Sequence, residues 1–325
     1  MISVIATVLN EGASIHRLML SLGKQTRLPD EIVIVDGGST DNTVAIIEGY
    51  MAVLPVRLLV EPGANISAGR NRAIAAARGD IIAVTDAGVT LDREWLEQLA
   101  QPLLADPQAQ VSSGFFQADP HTTFEAAMGA TVLPLADEVN PATFLPSSRS
   151  VAFRRSAWAA VGGYPEWLDY CEDLIFDLRL KQCCGPFAFA PDALVYFRPR
   201  GSLRAFFRQY YLYARGDGKA DLWRKRHAVR YFTYLVIVPA VFALGLLVDT
   251  YLWGLYALGA AYYLYQPYRR LPLVLRLAPR TGPAGWLYAA LLVPVIRVVG
   301  DVAKMLGYPA GVRWRRAHRP PDWRA

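Results

Sequence analysis

The sequence is poor in the residues that build most protein metal sites. Its 325 residues include 3 Cys and 4 His. Cys171, Cys183 and Cys184 are an odd number without the spacing of metal ligands. The histidines are scattered and form no ligand pair. The first residues also lack the charged and apolar regions of a secretory signal, which favours a reducing, cytosolic environment.

Acidic residues are scarce in the last two fifths of the chain. Residues 198–325 contain 21 Lys and Arg against 5 Asp and Glu, whereas residues 1–197 contain 13 against 23. The basic residues flank long apolar runs, and the mean hydropathy of the chain is +0.20. Anionic lipid head groups therefore explain the basic half better than nucleic acid does, and we expect no nucleic-acid partner.

Two apolar runs are candidates for membrane spans. Residues 231–248 contain no charge over 18 positions, the length of a spanning helix, and residues 250–266 continue after Asp249. A hairpin of two short spans competes with one long tilted segment. The hairpin is favoured because it places both flanking basic clusters in the cytosol. Residues 284–306 are expected to be interfacial or a third span.

Apolar strands and amphipathic helices alternate along the first part of the chain. Strands are predicted at 2–9, 32–35, 56–60, 81–85 and 111–116, with helices from about 15, 41, 67 and 93 between them. This alternation is typical of a mostly parallel, Rossmann-like α/β sheet with helices on both faces. After a substrate-facing insertion at 117–150, later elements close a domain over 1–220, and 221–325 form the helical membrane region.

Two carboxylates follow buried strands of this predicted sheet. Asp36 opens Asp-Gly-Gly-Ser-Thr-Asp after one strand, and Asp86 follows another. Ligands of open parallel sheets bind at the carboxyl ends of the strands. We therefore expect Asp36 and Asp86 to belong to one acidic site, although Asp36 and Asp41 could instead be turn and helix-cap residues.

Six segments in this order resemble the family 2 glycosyltransferases, which have the GT-A fold. The resemblance covers about residues 1–200. The segments are T-V-L-N-E-G at 7–12, D-G-G-S-T-D at 36–41, A-G-R-N-R-A at 68–73, A-R-G-D at 77–80, T-D-A-G at 85–88 and E-D-L at 172–174.

The resemblance implies roles for seven residues. Asp173, with Glu172 beside it, would be the catalytic base, and its place at a helix start favours the ionised carboxylate. Asp86 would meet ribose or a divalent cation, Mg²⁺ or Mn²⁺. The expected donor-binding residues are Asn10, Glu11, Asp36, Arg70 and Asp86.

Two departures from the family pattern bear on the chemistry. The metal-binding D-x-D reads Asp86-Ala87-Gly88, so its second carboxylate is missing. The Q-x-x-R-W motif of processive members has no Trp at its place after Arg215, which weakens a polysaccharide synthase interpretation. A membrane-tethered nucleotide-sugar-binding scaffold is the alternative outside enzymes. A sugar-phosphate nucleotidyltransferase ranks low, because the loop after the first strand lacks the L-x-G-G-x-G-T-R pattern.

The sequence therefore predicts an inverting glycosyltransferase. It would transfer one sugar from a nucleotide-sugar donor to a lipid-linked or hydrophobic acceptor. Its catalytic domain would lie at the cytosolic side of the plasma or inner membrane, anchored by the C-terminal region.

Overall fold

A computed structural model describes residues 1–278 and 282–324. Eight strands form one sheet: β1 (Ile2–Val8), β2 (Glu31–Asp36), β3 (Val56–Val60), β4 (Ile81–Val84), β5 (Val89–Leu91), β6 (Val111–Ala118), β7 (Val151–Arg154) and β8 (Ala188–Phe197). The α-helices are α1 (Ile15–Gly23), α2 (Thr43–Tyr50), α3 (Ile66–Ala76), α4 (Trp95–Ala105), α5 (Thr123–Val132), α6 (Arg155–Ala160), α7 (Glu172–Cys184), α8 (Leu203–Ala220), α9 (Arg224–Phe232), α10 (Val238–Leu247), α11 (Gly254–Leu275) and α12 (Pro283–His318). A π-helix joins α9 to α10, and short 3₁₀-helices precede β7 and α11. Their bounds are Thr233–Ile237, Ala136–Glu138 and Thr250–Trp253 respectively.

The described residues form two compact units. The first comprises residues 1–117, 135–198 and 322–324 and contains the sheet. The second comprises residues 118–134 and the described part of 199–321. The predicted boundary at residue 220 lies within this second unit.

The sheet is mixed, which corrects the expectation of a mostly parallel one. Its spatial order is β3-β2-β1-β4-β7-β6-β8-β5. The first four of these strands are parallel neighbours, whereas β4 with β7, β6 with β7, and β5 with β8 pair antiparallel. Parallel pairing needs a crossover that returns the chain to the same edge. The regular strand and helix alternation ends at β6, so the later strands lose that signal.

Helices cover both faces of the sheet, as predicted. Side chains of β1 alternate between two cores, since Val4 and Ala6 pack with α1 and α4 while Ile5 packs with α3 and α7. The spacing i, i+3, i+4 and i+7 predicts one apolar face for α1, and the four residues at these positions are fully buried: Ile15, Leu18, Met19 and Leu22.

The sequence predicts Ser39 or Thr40 as the cap of α2 and Asp92 as the cap of α4, and both caps differ in detail. Neither Ser39 nor Thr40 caps α2; Asp41 instead accepts a hydrogen bond from the Thr43 amide at 3.0 Å. Asp92 accepts from the Glu94 amide at 3.1 Å, one residue before α4 begins. The start of each helix lies two or three residues later than its sequence signal.

In the second unit, glycines bring α8 and α12 into close contact. A Cβ added to Gly307 would lie 2.2 Å from the Tyr211 carbonyl oxygen, and one added to Gly311 would lie 2.0 Å from that of Arg215. Small residues at such positions let helix backbones approach closely. The same unit has its own apolar core of α5, α8, α11 and α12 side chains.

Within residues 1–278 and 282–324, one helical segment, Arg224–Leu247, is long and apolar enough to cross a membrane by length and composition. Most of its apolar side chains are exposed in the structure. This segment contains nearly all of the first predicted span, 231–248. The second predicted span, 250–266, and the segment 284–306 do not meet the same test, and the hairpin stays a prediction.

Candidate active site

The loops that follow β1 and β2 are joined to each other by hydrogen bonds. Val8 and Asp36 are register partners in neighbouring parallel strands, so both loops leave the same edge of the sheet. The Asn10 amide donates to Ser39 Oγ at 2.8 Å, and Asn10 Oδ1 accepts from the Thr40 amide at 2.9 Å. Asn10 has a φ of 55°, a left-handed conformation that asparagine tolerates better than most residues.

Glu11 also forms hydrogen bonds with the side chains of nearby residues. Its amide donates to Thr43 Oγ1 at 2.8 Å, while its carboxylate accepts from Ser14 Oγ. The predicted donor-binding residues of these two loops therefore lie on one connected surface.

Asp36 is turned back onto its own loop. Its carboxylate accepts from the Gly38 amide at 3.1 Å and from the Ser39 amide at 2.7 Å, and the residue is fully buried. The structure thus shows the turn-stabilising role. Contact of Asp36 with a nucleoside stays a prediction.

The A-G-R-N-R-A segment lies in α3, and a glycine sets its distance from the sheet. Asn65 caps this helix, its Oδ1 accepting from the Ala68 amide at 2.9 Å. A Cβ added to Gly69 would lie 2.7 Å from Thr7 Cγ2 of β1, so only glycine allows this approach without a shift. The close packing fixes the position of the next residue, Arg70.

Arg70 lies between two carboxylates. Its Nη2 is 2.9 Å from Asp86 Oδ1, and its Nη1 is 2.8 Å from Glu172 Oε1. The residue is only 2% exposed. Burial alone would lower the pKa of this guanidinium, but Asp86 and Glu172 together raise it above its ordinary value. Arg70 therefore joins the two predicted acidic segments, and its direct contact with a donor diphosphate stays a prediction.

Asn71 has a structural role that the sequence did not indicate. Its Nδ2 donates to the Tyr164 carbonyl at 2.9 Å, and its Oδ1 accepts from the Tyr164 amide at 2.8 Å. These bonds hold the turn around Gly163, whose φ of 74° suits glycine. This turn places the centre of the Tyr164 ring 5.2 Å from the Arg70 guanidinium.

The acidic pair Glu172 and Asp173 begins α7 after a strained residue. Cys171 has a φ of 66°, which is uncommon for a residue other than glycine or asparagine. Such strained residues cluster at functional sites. Glu172 is buried and paired with Arg70, whereas Asp173 is half-buried and accepts only from the Leu174 amide at 2.9 Å. Asp173 forms no ion pair within the described chain.

The environment of Glu172 changes its ionisation. Burial, reinforced by the adjacent Asp173 carboxylate, raises the pKa of Glu172 to about 7, and Arg70 opposes the change.

A second acid, Asp177, follows Asp173 by one helical turn. It is 1% exposed and its Oδ2 has no hydrogen-bond partner. Burial and then Asp173 raise its pKa well above the usual range. A buried acid in an apolar helix pattern gives no distinct sequence signal.

Arg149 is a further residue beside Asp86, and no sequence pattern indicates it. Its Nε is 3.5 Å from Asp86 Oδ2, and its guanidinium lies 4.7 Å from the centre of the Phe197 ring. About a quarter of the Arg149 side chain is exposed. A lone arginine in the aperiodic segment 117–150 has no spacing that could have identified it.

The side chains do not form a metal site by themselves. Asp86 has both carboxylate oxygens paired with arginines, and Gly88 stands where the second acid of D-x-D would be. In the part of the chain that the structure describes, no three His, Cys, Asp or Glu residues lie together as a metal-binding group. One carboxylate can hold Mg²⁺ when substrate phosphates and water supply the other ligands. A cation would therefore depend on the donor diphosphate.

Comparison with known proteins identifies relatives of this chain. Residues 3–152 match the family described as Glycosyl transferase family 2. The succinoglycan biosynthesis protein ExoA of Rhizobium meliloti (strain 1021) is 29% identical over 251 residues, which are 74% of this chain and 76% of that protein. The O-antigen chain rhamnosyltransferase WbaN of Salmonella anatum is 25% identical over 202 residues, 58% of this chain and 62% of that protein.

A solved structure shares the fold. The mannosyltransferase PcManGT of Pyrobaculum calidifontis, in complex with GDP-Man and Mn²⁺, aligns over 90% of this chain and 86% of its own with a TM-score of 0.60 and 21% identity. The sheet, the ordered motifs and these relatives all indicate a glycosyltransferase. The chain is a glycosyltransferase, and its residues 3–152 match the family 2 glycosyltransferases.

Proposed function

We propose that this protein is a membrane-anchored, inverting glycosyltransferase that transfers one sugar from a nucleotide-sugar donor to a lipid-linked acceptor. The observation that supports it best is the difference between the two acids at the start of α7. Glu172 is buried against Arg70, while Asp173 is half-buried and forms no ion pair among the described residues. A catalytic base needs a carboxylate that is not held in an ion pair and is accessible to substrate.

In the proposed reaction, the acceptor hydroxyl oxygen attacks the anomeric carbon of the sugar as Asp173 takes its proton. The bond from the anomeric carbon to the diphosphate oxygen breaks, and its electron pair leaves with the nucleoside diphosphate. One displacement inverts the anomeric configuration. Glu172 is then a positioning residue, which acts by holding Arg70.

Negative charge develops on the leaving diphosphate and needs a cation nearby. Arg149 is the candidate among the side chains, because its guanidinium is partly exposed beside Asp86. A divalent cation stays a second prediction. It would bind through Asp86 and the donor diphosphate, an arrangement that the Mn²⁺ in the mannosyltransferase complex supports.

The donor and acceptor classes rest on different support. The GDP-Man of the structural relative supports a nucleotide sugar, and we expect Asn10, Glu11 and Asp36 to contact it. The names of the sequence relatives, in succinoglycan and O-antigen synthesis, support an acceptor of cell-envelope polysaccharide assembly. The apolar segment Arg224–Leu247 supports an anchor in the plasma or inner membrane.

The test is a comparison of Asp173→Asn with Glu172→Gln. Asparagine keeps the shape of the aspartate but cannot take the proton, so Asp173→Asn should lower kcat by about 10²- to 10⁴-fold. Its affinity for the nucleoside diphosphate, measured by calorimetry, should stay within a few-fold of wild type. Glu172→Gln should keep more activity than Asp173→Asn.

Two results would contradict the proposal. Near-normal turnover by Asp173→Asn would place the base elsewhere, with Glu172 as the first candidate. Tight binding of nucleotide sugars by a wild-type protein that releases no diphosphate with any membrane lipid extract would instead favour the scaffold alternative.

A further inference from the structure

A polar cluster lies among the helices of the second unit, in a part of the chain that is otherwise rich in apolar residues. Its centre is Asp301 of α12, which is 8% exposed. Asp301 accepts from Arg230 Nε at 2.8 Å, from Tyr263 Oη at 2.6 Å and from Tyr234 Oη at 3.3 Å. These bonds connect α12 to α9, to α11 and to the π-helix between α9 and α10. Short π-helical turns are frequent at functional sites.

Two further cations lie on the same face of α12. Arg297 and Lys304 are four residues before and three residues after Asp301, so all three side chains share one face of the helix. The Arg297 guanidinium lies 4.8 Å from the Tyr263 ring centre, and Lys304 Nζ lies 4.9 Å from that of Tyr210. Within the residues described, neither cation has a carboxylate within 4 Å.

The cluster has an excess of positive charge. Lys304 has Arg230 and Arg297 as its cationic neighbours, and Asp301 and Asp217 as its anionic ones. Three cations therefore face two carboxylates. Arg297 Nε is also buried without a hydrogen-bond partner in the structure as described. A buried polar atom without a partner is costly, and charged residues inside membrane proteins mark functional sites.

The position of the cluster relative to a bilayer follows from Arg230. Arg230 is the last basic residue near the N-terminal end of the apolar segment Arg224–Leu247, and the uncharged run begins at the next residue. If that segment spans the membrane, Arg230 marks the level of the lipid phosphates, and its bond to Asp301 places the cluster at the same level. Tyrosines are enriched at this depth.

We propose that Arg297 and Lys304, oriented by Asp301, form a binding site for the diphosphate head group of the lipid-linked acceptor. The inference rests on the proposed membrane anchoring and acceptor class. A guanidinium and an ammonium group are suited to phosphate oxygens, and partial burial excludes competing water. The partnered cation, Arg230, would keep the Asp301 carboxylate from repelling the ligand.

The experiment uses the full-length protein in detergent and measures binding by calorimetry. The probes are farnesyl diphosphate, farnesol, inorganic diphosphate and phosphatidylglycerol. Farnesyl diphosphate should bind the wild type at least tenfold more tightly than any of the other three. The double variant Arg297→Gln with Lys304→Gln should weaken that binding by about ten- to a hundredfold, the effect of losing charged hydrogen-bond partners.

Matched variants separate a binding defect from a folding defect. Arg316→Gln removes one positive charge from an exposed position of the same helix and should leave binding unchanged. The single variant Lys304→Arg, with Arg297 intact, should bind farnesyl diphosphate about as tightly as the wild type, because arginine keeps the positive charge. Equal losses in Arg316→Gln and in the double variant, or unchanged binding in the double variant, would overturn the proposed site.

The outcome is distinguishable from failure of the proposed function. Nucleoside diphosphate affinity should be the same in all variants, because its predicted residues lie in the first unit. If the wild type transfers sugar to a lipid acceptor while the double variant keeps its acceptor KM, only the head-group site is wrong. If the wild type binds phosphatidylglycerol as tightly as farnesyl diphosphate, the cluster is a general phospholipid contact and the inference fails.

Discussion

Asp86 has no free carboxylate oxygen, since Arg70 contacts one oxygen and Arg149 the other. A cation that approaches Asp86 has to compete with two guanidinium groups for the same atoms. The third position of the D-x-D motif supplies no metal ligand, because Gly88 has no side chain. In the proposed reaction, stabilisation of the leaving diphosphate therefore depends more on arginine than the family pattern implies.

Restoring the missing acid should create a metal site. A Cβ added to Gly88 meets nothing within 4 Å, so Gly88→Asp adds a carboxylate without a steric clash. We expect this variant to bind Mn²⁺ at least tenfold more tightly than wild type without nucleotide, because two carboxylates then share the cation. Electron paramagnetic resonance of free Mn²⁺ measures the difference. Gly49→Asp, at another open and exposed position, is the charge-matched control, and equal affinities in the two variants would refute the prediction.

The raised pKa of Glu172 predicts a pH dependence of stability. An acid whose pKa is higher in the folded state stabilises the protein at low pH, and the stability falls as pH rises from about 4.5 to about 7. Glu172→Gln removes this titration. Between pH 5 and pH 8, the stability of the variant relative to wild type should therefore improve by up to about 3 kcal/mol.

Melting temperatures in detergent at the two pH values provide the comparison. Glu48→Gln on the exposed face of α2 controls for the loss of a charge. Parallel pH profiles of wild type and Glu172→Gln would mean that Glu172 stays ionised throughout the range.

Sequence patterns identified individual site residues unevenly. Asp36 and Asp86 became candidates because each comes at the end of an apolar run, and in the structure Asp36 is the last residue of β2 and Asp86 lies two residues after β4. Arg149 and Asp177 were missed, since one lies in an aperiodic loop and the other on a helix face that gives no polar signal. Their importance comes from contacts with residues that are distant in the sequence.

At the scale of elements, the packing of α3 on β1 determines where Arg70 lies. Gly69→Ala would place a methyl group 2.7 Å from Thr7 Cγ2 and should destabilise the protein by about 1 to 3 kcal/mol. Transfer activity should fall as well, because any shift of α3 moves Arg70. Thermal unfolding and a transfer assay test both effects.

A second substitution gives this prediction its control. Thr7→Ser removes the methyl group in question, so the double variant with Gly69→Ala should recover most of the loss. Gly49→Ala in exposed α2 should instead gain about 0.5 to 1 kcal/mol from helix propensity. No recovery in the double variant would show that the helix is not positioned by this contact.

Long elements with a regular apolar repeat were predicted better than short ones. Helices and strands before residue 118 were located to within two or three residues, because each has a clear apolar repeat. β5 was missed, since three residues are too few to show alternation. Helix starts were displaced because side chains such as Asp41 bond to the backbone just ahead of the helix.

On the scale of the whole molecule, the long-range arrangement was beyond sequence patterns. Nothing in the sequence of residues 118–134 indicates that they pack with residues 199–321 rather than with the sheet. The antiparallel strands likewise depend on pairings between distant segments. The charge division between residues 1–197 and 198–325, in contrast, was readable directly.

The two-span hairpin predicts where each flank of the membrane region lies. Single cysteines introduced near Arg226 and near Arg316, in a background without the native cysteines, should both be labelled only from the cytosolic side of sealed vesicles. A cysteine at Asp249, between the two predicted spans, should be labelled only from the opposite side. Labelling of the Arg316 site from the outer side would require residues 284–306 to cross, with Arg297 and Asp301 in the bilayer.

The last described residues have a consequence for how the protein is made. Trp323 belongs to the first unit, where it is 7% exposed and its carbonyl accepts from Arg179 Nε at 3.3 Å. A ribosome synthesises all of residues 199–321 before it reaches Trp323. The first unit therefore gains its contact with Trp323 only after the apolar segments of residues 199–321 have been translated.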